Sequence, residues 1–165
     1  MKGWFHDPYR HALAAKGIRF RFKDPSTRYL YHGTSSSILP KIKQTGLKHD
    51  LEDKTFGISE DYVYFTTSER DAFGWGFEVL NELKYSYSDP KTGELLPEAP
   101  EWIKKANSVV LRVKIDDMIS IGAIEYDPYR RYPISEDYNM DVTSPIDIPP
   151  EMIEVKTVSG WRPLK

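Results

Sequence analysis

The sequence predicts an α+β fold with one hydrophobic core, and three observations lead to this class. The chain has 165 residues, of which 39% are hydrophobic and 29% are charged, as in one ordinary globular domain. The predicted helices and strands lose any regular βαβα alternation after residue 90, which argues against a parallel α/β sheet. No internal repeat or low-complexity segment divides the chain, so we assign residues 1–165 to a single domain.

The N-terminal part is predicted to hold a helix, two strands and a second helix. "PYRHALAAK" at residues 8–16 has a proline near its first turn and a glycine after its last lysine, as helices do. Hydrophobic and basic residues alternate in "GIRFRF", which is typical of a strand, and "YLYH" at residues 29–32 is predicted to be the next strand. In "SSSILPKIKQTGL" the serines can cap a helix and Gly46 can end it.

The remainder is predicted to alternate long loops with strands. Residues 48–61 are polar without a period and indicate a loop, and "YVYFTT" is a strand. "SERDAFGWGFEVLNELKYS" is a helix capped by Ser68 or Thr67. Residues 88–100 form a loop, "SVVLRVKID" is a central strand, and "MISIGAIEYDP" is a candidate for another. Residues 126–150 form the second long loop, and "MIEVKTVSGWRPL" closes the chain as a strand or strand pair.

The composition excludes several classes of site. A net charge of -2 provides no overall attraction to nucleic acid or to a membrane surface. The absence of cysteine excludes disulfides and thiolate zinc sites, and the four histidines form no HxxxH pair, so no metal is expected. No hydrophobic run approaches the roughly 20 residues of a membrane span, and the N-terminus lacks the hydrophobic core of a signal peptide. We therefore expect a cytoplasmic protein without a membrane partner.

The most informative segment is "YLYHGTSSSILPK", where a strand ends and a helix begins. Gly33 has no side chain, so a ligand could approach the backbone after His32. Thr34 and Ser35 add hydroxyls, and the free N–H groups at the start of the helix favour anionic groups, so a phosphate-bearing ligand is one interpretation. The alternative is that the serines only cap the helix and that His32 only forms hydrogen bonds at the strand end.

A second segment, "YVYFTTSERDAFGWG", gives the first one a context. "YHGTS", "IKQTGL", "VYFTTS" and "AFGW", in this order, resemble the ADP-ribosyltransferase fold, in the branch that contains diphtheria toxin and the poly-ADP-ribose polymerases. The likeness covers residues 29–76 and, more loosely, 108–155, which leaves residues 1–24 as an N-terminal helix-strand extension outside it. The resemblance implies a split mixed β-sheet with short flanking helices, and NAD as the co-substrate.

The resemblance also implies roles for individual residues. His32 would hold the ribose in the adenosine half of NAD, and the Gly33 backbone would pair with the nicotinamide amide. Tyr64 would stack on the nicotinamide ring and Trp75 would cover its other face, which agrees with the way aromatic faces hold flat cationic rings. Taken singly, each of these two aromatic residues is also explained as part of the core. The predicted NAD-binding set comprises His32, Gly33, Thr34, Ser35, Tyr64, Thr66 and Trp75.

The third catalytic position departs from the family. The family has a glutamate ahead of a segment like "IDIPPEMIEV", and this chain has Asp141 there. In the family this carboxylate would bind the nicotinamide-side ribose and stabilise positive charge as nicotinamide leaves. Aspartate is shorter by about 1.5 Å, a displacement that can cost about a hundredfold in rate. Glu136 lies in a nearby loop and is the second candidate, so the predicted catalytic set is His32, Tyr64, Asp141 and Glu136.

Several functions are compatible with these residues. The leading prediction is an NAD-dependent ADP-ribosyltransferase that modifies a macromolecular acceptor, either protein or nucleic acid. An RNA 2′-phosphotransferase shares "HGT" and "GL" but has an Arg-His pair where this chain has "VYFTT". A module that binds NAD, ADP-ribose or nucleic acid without turnover is favoured by Asp141. An interaction domain without any ligand, in which His32 and Tyr64 are structural, is the fourth alternative.

Overall fold

The computed structural model describes residues 26–49, 52–53, 58–59, 63–124, 142–144 and 146–165. The predicted helix at residues 8–16, the strand that precedes residue 26, and both Glu136 and Asp141 lie outside these ranges. The described residues form an α+β structure, as the sequence predicts.

The largest element is a four-stranded antiparallel sheet. Its strands lie in the order β1, β5, β7, β8, so that β5 and β7 are central. The pairing places His32 opposite Leu111 and Gly33 opposite Val110. The closing hairpin of β7 and β8 confirms the predicted strand pair at the end of the chain. The strands comprise β1 (Tyr29–Ser35), β5 (Ser108–Lys114), β7 (Ile153–Thr157) and β8 (Gly160–Pro163).

A smaller sheet stands beside β1 and joins it at one point. It pairs β4 (Val63–Phe65) with β6 (Val142–Ser144), and a single bridge links Tyr31 of β1 to Thr66. The predicted loop at 48–61 contains a short antiparallel pair, β2 (Glu52–Asp53) with β3 (Ile58–Ser59). Every pairing among the described residues is antiparallel, whereas the resemblance implies a mixed sheet.

Helices cover both faces of the main sheet, and their ends follow from local sequence. The longest helix begins after Ser68, whose hydroxyl accepts a hydrogen bond from the Asp71 N–H, as a capping residue should. Gly46 ends the first helix with a φ of 74°, a left-handed conformation that glycine adopts without strain. The helices are α1 (Leu39–Thr45), which follows a 3₁₀ turn, α2 (Glu69–Tyr85), α3 (Glu101–Lys104) and α4 (Ile115–Ser120).

The structure corrects the prediction after β5. The segment predicted to end a strand at residue 116 and to start another at Met118 instead forms α4. Asp116 and Asp117 lie in the first turn of this helix, where carboxylates interact favourably with its N-terminal dipole. Ile115 and Met118 are both buried, and their spacing of three residues places them on one helical face.

The two faces of the main sheet differ in character. The inner face carries Leu30, Leu111 and Val113, which are buried in the main hydrophobic core together with residues of β4, α1 and α4. The opposite face, which we call the outer face, is covered in part by α2. Because successive side chains of a strand point to opposite faces, His32 lies on the inner face and Tyr31 and Gly33 on the outer one.

Candidate functional site

His32 stands at the point where β1 and β4 separate. Tyr31 and Thr66 exchange two backbone hydrogen bonds, of 2.8 and 2.9 Å. If this antiparallel pairing continued, Gly33 would lie opposite Tyr64 and the next bonds would join them. Instead, the His32 Nδ1 lies 2.7 Å from the Tyr64 carbonyl oxygen. The imidazole therefore takes the place of the next backbone bond, and we call the resulting gap between the two strands the split.

The hydrogen bond fixes the protonation state of His32. A carbonyl oxygen can only accept, so Nδ1 carries the proton and Nε2 is left as an acceptor in the neutral ring. Burial lowers the pKa of His32 from its ordinary value of 6.5, and the bond to the Tyr64 carbonyl opposes this only in part. The ring is thus neutral at pH 7, and its Nε2 can accept a hydrogen bond from a hydroxyl such as that of a ribose.

The backbone of Gly33 faces the split. Residues two apart in a strand direct their N–H and C=O groups to the same side, so Gly33 points these groups the same way as Tyr31, away from β5. The Tyr31 N–H and C=O are both hydrogen-bonded to the Thr66 backbone. The Gly33 N–H and C=O have no hydrogen-bond partner on this edge among the described residues. Buried backbone groups are nearly always paired, so this unpaired donor and acceptor call for a partner outside the described residues, and a bound ligand is one such partner.

The structure corrects the explanation for the glycine itself. A Cβ atom added to Gly33 would lie 1.7 Å from the Ala72 carbonyl oxygen of α2, so the space that a side chain would occupy is filled by this helix. Gly76 lies one turn after Ala72 in α2, and it is also enclosed, because a Cβ atom added to it would lie 2.1 Å from the Ser108 Oγ. Gly33 therefore allows α2 to pack closely on β1, and it does not leave its side-chain space to a ligand.

The serine hydroxyls that follow Gly33 form local hydrogen bonds, and Thr34 is buried. Ser35 is fully buried and Thr34 is 4% exposed. The Ser35 Oγ accepts from the Ser37 N–H and lies 2.8 Å from the Ser37 Oγ, while the Ser36 Oγ accepts from the Asn107 N–H. Capping, the alternative considered for the serine run, is what the structure shows, and the predicted contact of Ser35 with phosphates finds no open hydroxyl.

The predicted aromatic residues lie on the two elements that follow the split. Tyr64 of β4 is 1% exposed, so its ring is enclosed by the protein, and a nicotinamide could stack on it only if neighbouring chain moved aside. Trp75 is half-buried on α2. It precedes Gly76, one of the residues at which α2 packs closely on the main sheet. The Thr66 hydroxyl accepts from the Ser68 N–H at 3.1 Å and so helps to begin α2. The structure thus brings His32, Gly33, Tyr64 and Thr66 together.

Neither predicted carboxylate is among the described residues. Val142, which follows Asp141 in the sequence, lies opposite Phe65 in the pairing of β4 and β6. The Phe65 ring in turn contacts the His32 imidazole edge-on, with ring centroids 5.9 Å apart.

The structure also shows an open cleft that sequence reasoning missed. It has a volume of about 530 Å³ and lies on the outer face, against the first turns of α2. No sequence motif could have revealed it, because its residues come from three elements that meet only in the fold. The lining residues are Glu69, Arg70, Phe73, Val110 and Lys156.

Comparison with known proteins provides no family for this chain. It matches no protein-family model, and no curated protein matches it. Within the described ranges, no cluster of three histidine or acidic side chains is suited to hold a metal ion. No helix in the same part of the chain has the length and hydrophobicity to cross a membrane.

Proposed function

We propose that the chain is an NAD-dependent ADP-ribosyltransferase with an ADP-ribosyltransferase-like fold, and that NAD binds at the split. The observation that supports this most strongly is the replacement of one backbone bond by the His32 imidazole. It leaves the Gly33 N–H and C=O unpaired beside Tyr64. A primary carboxamide carries one acceptor and one donor side by side, as nicotinamide does, and so complements this backbone pair.

The remaining features agree with the same ligand. The neutral His32 ring presents Nε2 as an acceptor, which suits a ribose hydroxyl of NAD. In the reaction, the bond between the ribose carbon and the nicotinamide nitrogen breaks, and nicotinamide leaves with the bonding electrons. An acceptor nucleophile then forms the new bond to the ribose carbon and releases its proton. A carboxylate, Asp141 or Glu136, would stabilise the positive charge that develops on the ribose.

A variant of His32 tests the proposal while preserving the contact to β4. In His32→Asn, the side-chain amide can still donate to the Tyr64 carbonyl, but the Nε2 acceptor is lost. Leaving a buried hydroxyl of the ligand unpaired should weaken NAD binding by about 5- to 100-fold. We would measure binding by calorimetric titration with NAD and with ADP-ribose, and follow nicotinamide release by chromatography in the same samples.

The matched control is His49→Asn, because His49 lies outside the split and contacts Asp147. This variant should bind NAD like the unmodified protein. If the unmodified protein binds neither NAD nor ADP-ribose, or if His32→Asn binds them equally well, the proposal is wrong. His32 would then be a residue that only holds two strands apart.

A second candidate function is a module that binds NAD or ADP-ribose without cleaving it. The observation that favours it is the shorter carboxylate of Asp141 at the family's glutamate position. Binding without nicotinamide release would support this candidate. In that case Asp141→Glu, which restores the longer side chain, should produce nicotinamide release. If it does not, the length of the side chain at position 141 is not what prevents cleavage, and Glu136 is the next residue to substitute.

A further inference from the structure

The cleft on the outer face is separate from the split. We call it the outer cleft. Its floor is Val110, which lies opposite Gly33 in the sheet, whereas His32 points to the inner face. The first turns of α2 form one wall, and Lys156 of β7 forms the other. A ligand could therefore occupy the outer cleft without contacting His32.

An exposed aromatic ring dominates one wall of the outer cleft. Phe73 is 46% exposed, although the interior of α2 is well packed against the sheet. Its backbone is held in place, because the Ser108 Oγ donates to the Phe73 carbonyl oxygen at 2.7 Å. Phe77 contacts the Phe73 ring edge-on, with centroids 4.9 Å apart. Phe73 thus presents a flat apolar ring to open space from an anchored stretch of backbone.

Two cationic side chains, Arg70 and Lys156, line the same cleft. Lys156 forms an ion pair with Glu69, while Arg70 has no ion-pair partner within the described part of the chain. The lining therefore carries two cations and one anion, an excess of one positive charge. An unpaired guanidinium beside an aromatic surface is suited to an anionic group on a flat ligand.

Aromatic and cationic groups continue along the outer face beyond the cleft. The Lys156 Nζ lies 6.0 Å from the centre of the Trp161 ring. The Arg112 guanidinium lies 4.3 Å from the centre of the Trp161 ring and 3.9 Å from that of Tyr29, and its Nε donates to the Glu154 carboxylate at 3.1 Å. Because Glu154 and Glu69 neutralise Arg112 and Lys156, this part of the outer face adds aromatic rings on which bases can stack, and the positive charge that the described residues leave unpaired at the cleft is that of Arg70.

We propose that the outer face binds single-stranded nucleic acid, with one base in the outer cleft on Phe73 and a neighbouring phosphate on Arg70. The occupant follows from the pairing of a flat apolar surface with an excess of positive charge, because nucleotides combine a flat base with an anion. Binding at this face requires no NAD. Its test can therefore fail while the proposed function holds, and the reverse is also true.

The test is a binding titration without NAD, read by fluorescence anisotropy. The probe is a labelled single-stranded DNA of ten nucleotides with mixed sequence, at low and moderate salt. We expect Phe73→Ala to weaken binding by about 5- to 150-fold, the range for loss of one base stack. Phe73→Leu, which keeps apolar volume but not the flat ring, should also lose affinity. Arg70→Ala should reduce the slope of log affinity against log salt by about 0.7, the loss of one phosphate contact.

Controls separate this surface from general effects. Phe77→Ala removes a phenylalanine of equal exposure on the same helix that does not line the cleft, and it should lose less affinity than Phe73→Ala. Lys43→Ala removes an exposed cation on α1, and the salt slope should stay unchanged. Circular dichroism checks that each variant is folded.

Three results would overturn the proposal. The first is absence of binding to the single strand at low salt. The second is equal affinity of the unmodified protein, Phe73→Ala and Arg70→Ala. The third is binding of duplex DNA or of free AMP as tightly as the single strand, because the site would then recognise charge or a mononucleotide alone.

Discussion

At the scale of single residues, two explanations apply to Gly33, close packing of a helix and access to its backbone, and the sequence alone does not separate them. The side-chain space of this glycine is filled by α2, while its backbone donor and acceptor face the split. A glycine at a strand end is compatible with either explanation, since both require the absence of a side chain. Only the position of the Ala72 carbonyl oxygen shows that helix packing requires glycine here.

We expect Gly33→Ala to destabilise the fold strongly. The new Cβ would meet a backbone atom at 1.7 Å, so α2 would have to move, and overpacking of this kind costs about 3 kcal/mol or more. The matched control is Gly74→Ala in the same helix, where an added Cβ meets nothing within 4 Å. That variant should gain about 1 kcal/mol, because alanine is the better helix former.

Urea denaturation measures both free energies of unfolding. Changes of opposite sign would support the packing explanation, and a neutral Gly33→Ala would contradict it. The result also affects how NAD binding is interpreted. If Gly33→Ala destabilises the fold, loss of NAD binding in this variant does not by itself show that Gly33 contacts NAD.

At the scale of elements, the sequence predicts well those helix ends that are defined by local hydrogen bonds. Ser68 caps α2 and Gly46 ends α1 in the structure, as their residue types indicate. The strand predicted after β5 is wrong because a helix replaces it that has only six residues, "IDDMIS", and so short a segment gives too few repeats to distinguish a helix from a strand. The resemblance implies a split sheet, but the hydrogen bond between His32 and the Tyr64 carbonyl could not be predicted, because it joins residues of two different strands.

The cap of α2 gives a prediction at this scale. Ser68→Ala removes the acceptor for the Asp71 N–H and should cost about 1 kcal/mol of stability, the usual value for a lost N-cap. Ser68→Asp preserves an acceptor at this position and should restore most of that loss. Thermal and urea unfolding with an unchanged m-value would check both variants. Equal destabilisation by alanine and aspartate would show that the cap is not what the serine provides.

At the scale of the whole molecule, hydrogen bonds join two segments far apart in sequence, residues 47–49 and 147–148. Leu47 and Ile148 exchange two backbone hydrogen bonds, of 2.9 and 3.0 Å. Beside them, the Asp147 carboxylate accepts from the His49 N–H at 3.0 Å and from the Lys48 Nζ at 2.9 Å. This connection anchors the chain that follows α1 to the chain that leads into β7.

Asp147 should therefore make stability depend on acid pH. Partial burial alone would raise its pKa, but the hydrogen bonds from His49 and Lys48 outweigh this and lower it from 3.8 to about 2. The folded state thus holds the proton less tightly than the unfolded chain. The stabilisation is complete above pH 3.8 and is lost as the pH falls through about 2. Because the side chain is 36% exposed, we expect solvent screening to limit it to about 1 kcal/mol.

The experiment compares Asp147→Asn with the unmodified protein in urea at pH 7 and near pH 2. The variant should be less stable at pH 7, and the difference between the two proteins should shrink at the acid end. Glu98→Gln, an exposed change elsewhere, should show little difference at either pH. A gap for Asp147→Asn that stays constant with pH would contradict the role of its charge.

The order of strands in the main sheet has a consequence for synthesis on the ribosome. β1 pairs with β5, so Ser35 finds its partner Ser108 only after roughly 70 further residues have been added. At about 5–20 residues per second this is a delay of several seconds, during which the edge of β1 that pairs with β5 has no partner. The nascent chain therefore passes through a period in which one edge of β1 is open to pairing with other chains, and that period ends when β5 emerges.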